Sequence, residues 1–236
     1  MNHRQYYAAK KNPWIINWLS NLSIVGWLIL VNVIFSVIGF IIFFSSPEAI
    51  NYFALKPSNI AQGKYLWTLL THMFVHGSPL HLLVNMFVLF SLGSLSERII
   101  GRKRFLWFYL ISGLFAGLLS VFLANAYGDS AFGERAFGSS DVFMVGASGA
   151  IFAIAGLFVM LLPKLRFMII FLPFFSLPAY IMVPLVLFLT WLATIAGDFP
   201  IGNVAHFGGF LAGIVYGFYL KTKYRRKVKL LQRMFR

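Results

Sequence analysis

Six apolar runs, none of them carrying a charge, constrain this chain more than any other feature. They are Ile24–Phe44, Pro79–Ser96, Phe105–Tyr127, Val142–Leu162, Leu177–Ala196 and Ile201–Leu220. About 20 apolar residues are enough for a helix to cross a hydrocarbon layer. A segment in lipid must satisfy its own backbone polar groups, so each run is expected to be a helix. The chain is 60% hydrophobic and 11% charged over 236 residues, which leaves no material for a separate soluble domain. The expectation is an all-α polytopic membrane protein built as a six-helix bundle. Residues 24–220 would form the membrane domain, residues 1–23 an N-terminal tail and residues 221–236 a basic C-terminal tail. The first tail is too polar to serve as a cleaved signal peptide. With no cysteine, the chain has neither disulfides nor thiolate chemistry.

The formal net charge of +14 invites a nucleic-acid reading, but its distribution excludes one. Basic residues sit in short connections. Arg4, Lys10 and Lys11 precede the first run, and Arg98, Arg102, Lys103 and Arg104 follow the second. Lys164 and Arg166 follow the fourth. Lys221, Lys223, Arg225, Arg226, Lys227, Lys229, Arg233 and Arg236 follow the sixth. The alternate connections hold only Lys56, Lys64 and Arg135, together with five of the six acids. By the bias of Lys and Arg toward the cytoplasm, both termini are expected there. Phe167–Ser176 is apolar but too short to cross, and reads as an interfacial segment or a shallow hairpin.

With that orientation, the second, fourth and sixth runs all travel inward from the outer surface. Ser148 is the seventh residue of the fourth run, about 9 Å deep at 1.5 Å per residue. His206 lies at a similar depth in the sixth. His81 and Asn85, one turn apart on the second run, share one face. Polar groups at this depth are costly unless paired, so four of them converging is a functional signal. Ala205, Gly209, Gly213 and Gly217 form a stripe of small residues on the sixth run, and Gly149 with Ala153 forms one on the fourth. Such stripes let helices approach closely in lipid.

A serine hydroxyl becomes a useful nucleophile when a base takes its proton, and imidazole does this near neutral pH. No acid lies at the depth of His206, so Ser148 and His206 would act as a dyad. Phe152, one turn beyond Ser148, is placed to pack on the imidazole. The His81 ring, the Asn85 amide and the Ser148 backbone N–H can stabilise an oxyanion. The chemistry implied is acyl transfer, and in practice peptide hydrolysis. No cofactor or metal is expected.

Over nearly its whole length the chain resembles the rhomboid family of intramembrane serine proteases. The resemblance rests on three motifs in order: His81-xxx-Asn85, Gly146-x-Ser148-Gly149, and Ala205-His206-xx-Gly209-xxx-Gly213. It implies Ser148 as nucleophile, His206 as base, and His81 with Asn85 at the oxyanion. It also implies that the substrates are transmembrane segments of other proteins, cut near the outer surface within the lipid bilayer. One departure is Trp67-Thr68, where the family often has Trp-Arg, in the loop covering residues 45–78. Glu97-Arg98 with Gly101 resembles a structural motif of the family. Short tails around a minimal core lean toward a bacterial plasma membrane.

Blander readings compete. Taken alone, Ser148 is a small packing residue and His206 a structural histidine; jointly with His81 and Asn85 the functional reading wins. The serine motif is not the strand-to-helix elbow of soluble hydrolases, since no strand is expected before it. His72 and His76 lack the nearby acid of a hydrolytic zinc helix and read as part of an interfacial loop. Pro178 and Pro184 are expected to kink the fifth run, which, with residues 197–202, reads equally as a gate or as a kinked packing helix. A catalytically inactive relative that binds transmembrane clients is disfavoured by the presence of both Ser148 and His206. A transporter would need internal repeats or midplane charges, and the sequence has neither.

Overall fold

A computed structural model describes residues 22–169, 172–197 and 201–235. Its long helices are α1 (Ile24–Ser45), α2 (Pro79–Ile100), α3 (Arg102–Tyr127), α4 (Ser148–Leu161), α5 (Ala179–Gly197) and α6 (Asn203–Lys223). A further helix, α7 (Arg225–Met234), closes the chain. Five of these, α1, α2, α3, α5 and α6, are long and apolar enough to cross a membrane, while α4 is a shorter apolar helix. Residues 1–21 of the N-terminal tail, residues 198–200 of the expected gate, and Arg236 lie outside the described residues.

Two of these helices turn large apolar side chains outward and bury small and polar residues among their apolar ones. On α1 the buried positions include Asn32, Ser36 and Gly39, while Ile34, Val37, Ile38 and Ile41 face outward. On α3, Ser112, Gly113, Ala116, Gly117 and Ser120 are buried, and Trp107, Ile111, Phe115 and Phe122 are exposed. Large apolar side chains outside and small or polar ones inside is the arrangement that lipid as solvent favours. The chain is a multi-pass membrane protein.

The fourth apolar run departs from expectation. Residues 142–147 are not helical. Met144 pairs with Leu55 through reciprocal backbone hydrogen bonds of 2.8 and 3.0 Å, and the Gly146 N–H donates to the His72 carbonyl at 2.8 Å. Hydropathy reports an apolar environment rather than a conformation, and this extended stretch is sheltered by the loop ahead of α2. Ser148 is therefore the first residue of α4 and not the seventh of a longer helix. At 14 residues α4 is about 21 Å long, short of the roughly 30 Å hydrocarbon core. Met144 and Leu55 form only an isolated bridge, so no strand precedes the serine, in line with the reading that excludes the hydrolase elbow.

The structure bears on three further expectations. Residues 167–169 and 172–176 lie on two antiparallel strands, β1 (Arg166–Ile169) and β2 (Leu172–Pro178), in line with the hairpin reading. Pro178 ends β2 and only Pro184 lies inside α5. Residues 46–78 are not a plain interfacial loop: they hold short helices at Pro57–Ala61 and Thr68–Thr71, and bury His72 and His76. Gly113 and Gly117 on α3 make the room, since a β-carbon at Gly113 would collide with Met73 and one at Gly117 would stand 3.0 Å from His72 Cε1. Thr68, in the place of the family's arginine, is buried and its hydroxyl donates to the Tyr65 carbonyl at 2.7 Å.

α2 carries a π-helical turn at Leu89–Gly93 between Asn85 and Glu97. Beyond it, the Glu97 carboxylate accepts the Ile24 and Val25 N–H groups at 3.0 and 2.9 Å, capping the first turn of α1. That satisfies donors a helix start leaves orphaned, so the structural reading of Glu97 holds.

Candidate active site

The site is assembled where α4 and α6 touch. A β-carbon on Gly209 would collide with the Gly149 carbonyl, one on Gly213 with the Ala153 carbonyl, and one on Gly156 with the Phe210 carbonyl. The two backbones are in contact with no side chain between them. On α6, Gly209 and Gly213 sit one turn apart, and the backbone contact runs between them before the Met160 side chain fills the space at Gly217. This contact sets Ser148, at the start of α4, against His206 in the first turn of α6. His206 Nε2 lies 2.8 Å from the Ser148 hydroxyl oxygen.

The imidazole is held by packing. The Phe152 ring stacks on it with centroids 4.4 Å apart and planes 23° apart. Its other nitrogen, Nδ1, is buried and has no hydrogen-bond partner. If Nε2 accepts the Ser148 proton, Nδ1 carries the ring hydrogen, and among the described residues no carboxylate fixes that tautomer. Phe152 holds the ring by its face, whereas an orienting acid would meet Nδ1 in the ring plane.

Two residues ahead of Ser148, Gly146 adopts φ +120°, a backbone region closed to most side chains. A β-carbon there would also stand 2.9 Å from His81 Cε1 and 3.7 Å from Asn85 Nδ2. Gly146 thus meets two demands at once, conformation and space. Through it the structure brings His81 and Asn85 to the serine's approach. His81 is fixed by its own helix start, where its N–H donates to the Ser78 hydroxyl at 3.2 Å. Asn85 is buried, yet its side-chain N–H₂ finds no acceptor. A buried donor without a partner costs roughly 1–3 kcal/mol, so this group is poised for an acceptor that arrives from elsewhere.

The position of Ser148 adds donors of a second kind. The N–H groups of a helix's first turn have no intrahelical partner, and no side chain caps α4. They also carry the positive end of the helix dipole. Sequence reasoning expected only the Ser148 N–H; it missed the helix start because apolar character runs unbroken from Val142.

His76, read from the sequence as part of an interfacial loop, also belongs beside the site. That ring is buried, its Nδ1 lies 2.9 Å from the Ser36 hydroxyl, and its edge meets His81 with centroids 5.0 Å apart. The signal was available: a histidine five residues before His81, and a serine inside an apolar run. His72 Nδ1, by contrast, bonds the Thr68 carbonyl at 2.9 Å and turns away toward α3. Among the described residues no group of three His, Cys, Asp or Glu is arranged to hold a metal.

Comparison with known proteins adds an independent line. Residues 63–223 match a family model described as the rhomboid domain. The chain is 35% identical over 168 residues to "RHOMBOID-like protein 5" of Arabidopsis thaliana, covering 71% of this chain and 48% of that protein. It is 32% identical over 168 residues to the human "Presenilin-associated rhomboid-like protein, mitochondrial", covering 71% and 40%. Against "Rhomboid protease GlpG" of Haemophilus influenzae it is 26% identical over 181 residues, covering 76% and 82%. The match spans about half the length, or less, of the first two of these relatives.

Proposed function

The chain belongs to the rhomboid family, and from that membership we propose that it is an intramembrane serine endopeptidase. Its substrates are transmembrane segments of other membrane proteins, cut near the face opposite the basic end of the bundle. That basic end, with both termini, faces the cytoplasm. The observation that carries the reading is the 2.8 Å contact between the Ser148 hydroxyl and His206 Nε2.

In this mechanism the Ser148 oxygen attacks a peptide carbonyl carbon while His206 Nε2 takes the hydroxyl proton. The carbonyl oxygen gains the negative charge, which the Asn85 amide, the His81 ring and the Ser148 N–H at the dipole end of α4 stabilise. His206 then returns the proton to the departing amine nitrogen. Water, deprotonated by the same imidazole, releases the acyl group from Ser148. Gly149 and Gly209 keep α4 and α6 in register, and Phe152 keeps the imidazole in plane. A role limited to holding transmembrane clients would not need this dyad.

The test is cleavage of a reporter bearing a transmembrane segment by the wild type, Ser148→Ala and His206→Ala. Loss of cleavage in both variants supports the reading, and equal cleavage by all three overturns it. Covalent labelling by a fluorophosphonate should vanish in Ser148→Ala.

A further inference from the structure

The second polar feature of the molecule lies at the other end of the bundle, where α6 passes into α7. Tyr224 is the joint between them. The Arg104 guanidinium lies 5.7 Å from the centre of its ring, Lys223 Nζ 5.8 Å and Lys227 Nζ 5.9 Å. Three cations from α3, α6 and α7 therefore lie beside one aromatic ring, Lys223 also donating to the Tyr219 hydroxyl at 2.6 Å. Each gains from the ring's negative face, but they repel one another. Among the described residues no carboxylate answers them. Glu97 is the acid at this end, and it is occupied by the Ile24 and Val25 N–H groups and by Arg102. Glu48, Asp129, Glu134 and Asp141 lie in the connections at the opposite end. Arg104 also stands in the first turn of α3, so a helix dipole adds positive potential at the same place.

α7 supplies an apolar complement. Val228 and Leu231 pack against the bundle, and the Gln232 side-chain N–H₂ donates to the Leu161 carbonyl at 3.0 Å. The helix is thus docked by one face. Lys227, Leu230 and Met234, spaced three and four apart, share another. Leu230 and Met234 are 59% and 80% exposed. A tyrosine flanked by cations, beside exposed apolar side chains at the end of membrane-crossing helices, is the composition of a headgroup-level site.

We propose that Arg104, Lys223 and Lys227 beside Tyr224 bind the phosphate of an anionic phospholipid, with Leu230 and Met234 set against its acyl chains. A free phosphate would use the cations and leave the apolar pair without a role. A nucleic acid would need a continuous basic face clear of the bilayer.

The test counts bound phosphatidylglycerol and phosphatidylcholine on the purified full chain in detergent by native mass spectrometry. With two cations removed, Arg104→Gln with Lys227→Gln should weaken phosphatidylglycerol binding about thirty-fold and leave phosphatidylcholine unaffected. The charge-preserving pair Arg104→Lys with Lys227→Arg should bind as the wild type does, which separates lost charge from lost fold. Lys103→Gln with Lys164→Gln removes two cations of the same end that are not on the Tyr224 ring, and should bind nearly as the wild type does. Equal loss in this control would reduce the site to diffuse surface charge and overturn the proposal. So would unchanged binding in the Gln pair, or full competition by glycerol 3-phosphate at the lipid's own concentration.

Discussion

At the scale of single residues, Asn85 separates stability from activity. Its side-chain donor is buried and unanswered in the resting protein, so it contributes little to the fold and is available for the reaction. Asn85→Leu should lower kcat by about 10²–10³-fold, the usual cost of an oxyanion donor, while the thermal midpoint stays level or rises. A fall in both together would make Asn85 a packing residue. Phe152→Ala should reduce turnover without abolishing it, because the stacked ring orients His206 but touches no reacting atom. An unchanged rate would remove that role. These side chains were legible in the sequence because polar groups are rare in apolar runs. The pairing of His76 with Ser36 was not, since it depends on a loop whose path no periodicity describes.

At the scale of elements, the contact between α4 and α6 fixes the geometry of the dyad. Gly213→Ala places a methyl against the Ala153 carbonyl, two turns from His206. Backbone has to move to admit it, at a cost of about 1–3 kcal/mol. The expected outcome is a lower thermal midpoint together with lost cleavage, as the helices separate; normal values of both would show the interface to be loose. Glu97 acts at the opposite end of the bundle. Glu97→Gln keeps the shape but weakens two charge-assisted bonds to the start of α1, worth about 1.5–3 kcal/mol each. It should destabilise the protein while leaving fluorophosphonate labelling of the folded fraction intact. The small-residue stripes announced the first contact, because only backbone-to-backbone packing requires them. The start of α4 was hidden, because extended and helical segments are equally apolar when both are sheltered.

At the scale of the whole molecule, the buried loop before α2 makes stability depend on pH. Burial lowers the His72 pKa from its ordinary 6.5 to about 4. Burial, then the neighbouring His81, lowers that of His76 to about 3. Unfolding releases both to ordinary values, so the unfolded chain binds more protons than the folded one between those limits. Stability is therefore complete above about pH 6.5 and falls as the pH drops toward 4. Each histidine contributes a slope near 1.4 kcal/mol per pH unit within its window. Unfolding midpoints measured in detergent from pH 8 to pH 4 should decline below pH 6.5, and less steeply in His72→Gln. A flat profile would show that the loop opens to solvent without cost.

Composition and spacing alone determined that the chain lives in lipid and which runs are apolar, and they singled out Ser148, His206, His81 and Asn85. The physical reason is that lipid penalises every polar atom left unpaired, so those that persist mark themselves. Tertiary structure decided that Ser148 opens a helix, that Gly146 folds back against His81 and Asn85, and that three cations gather beside Tyr224. Those facts come from contacts between segments far apart in the chain, and local pattern carries no record of them.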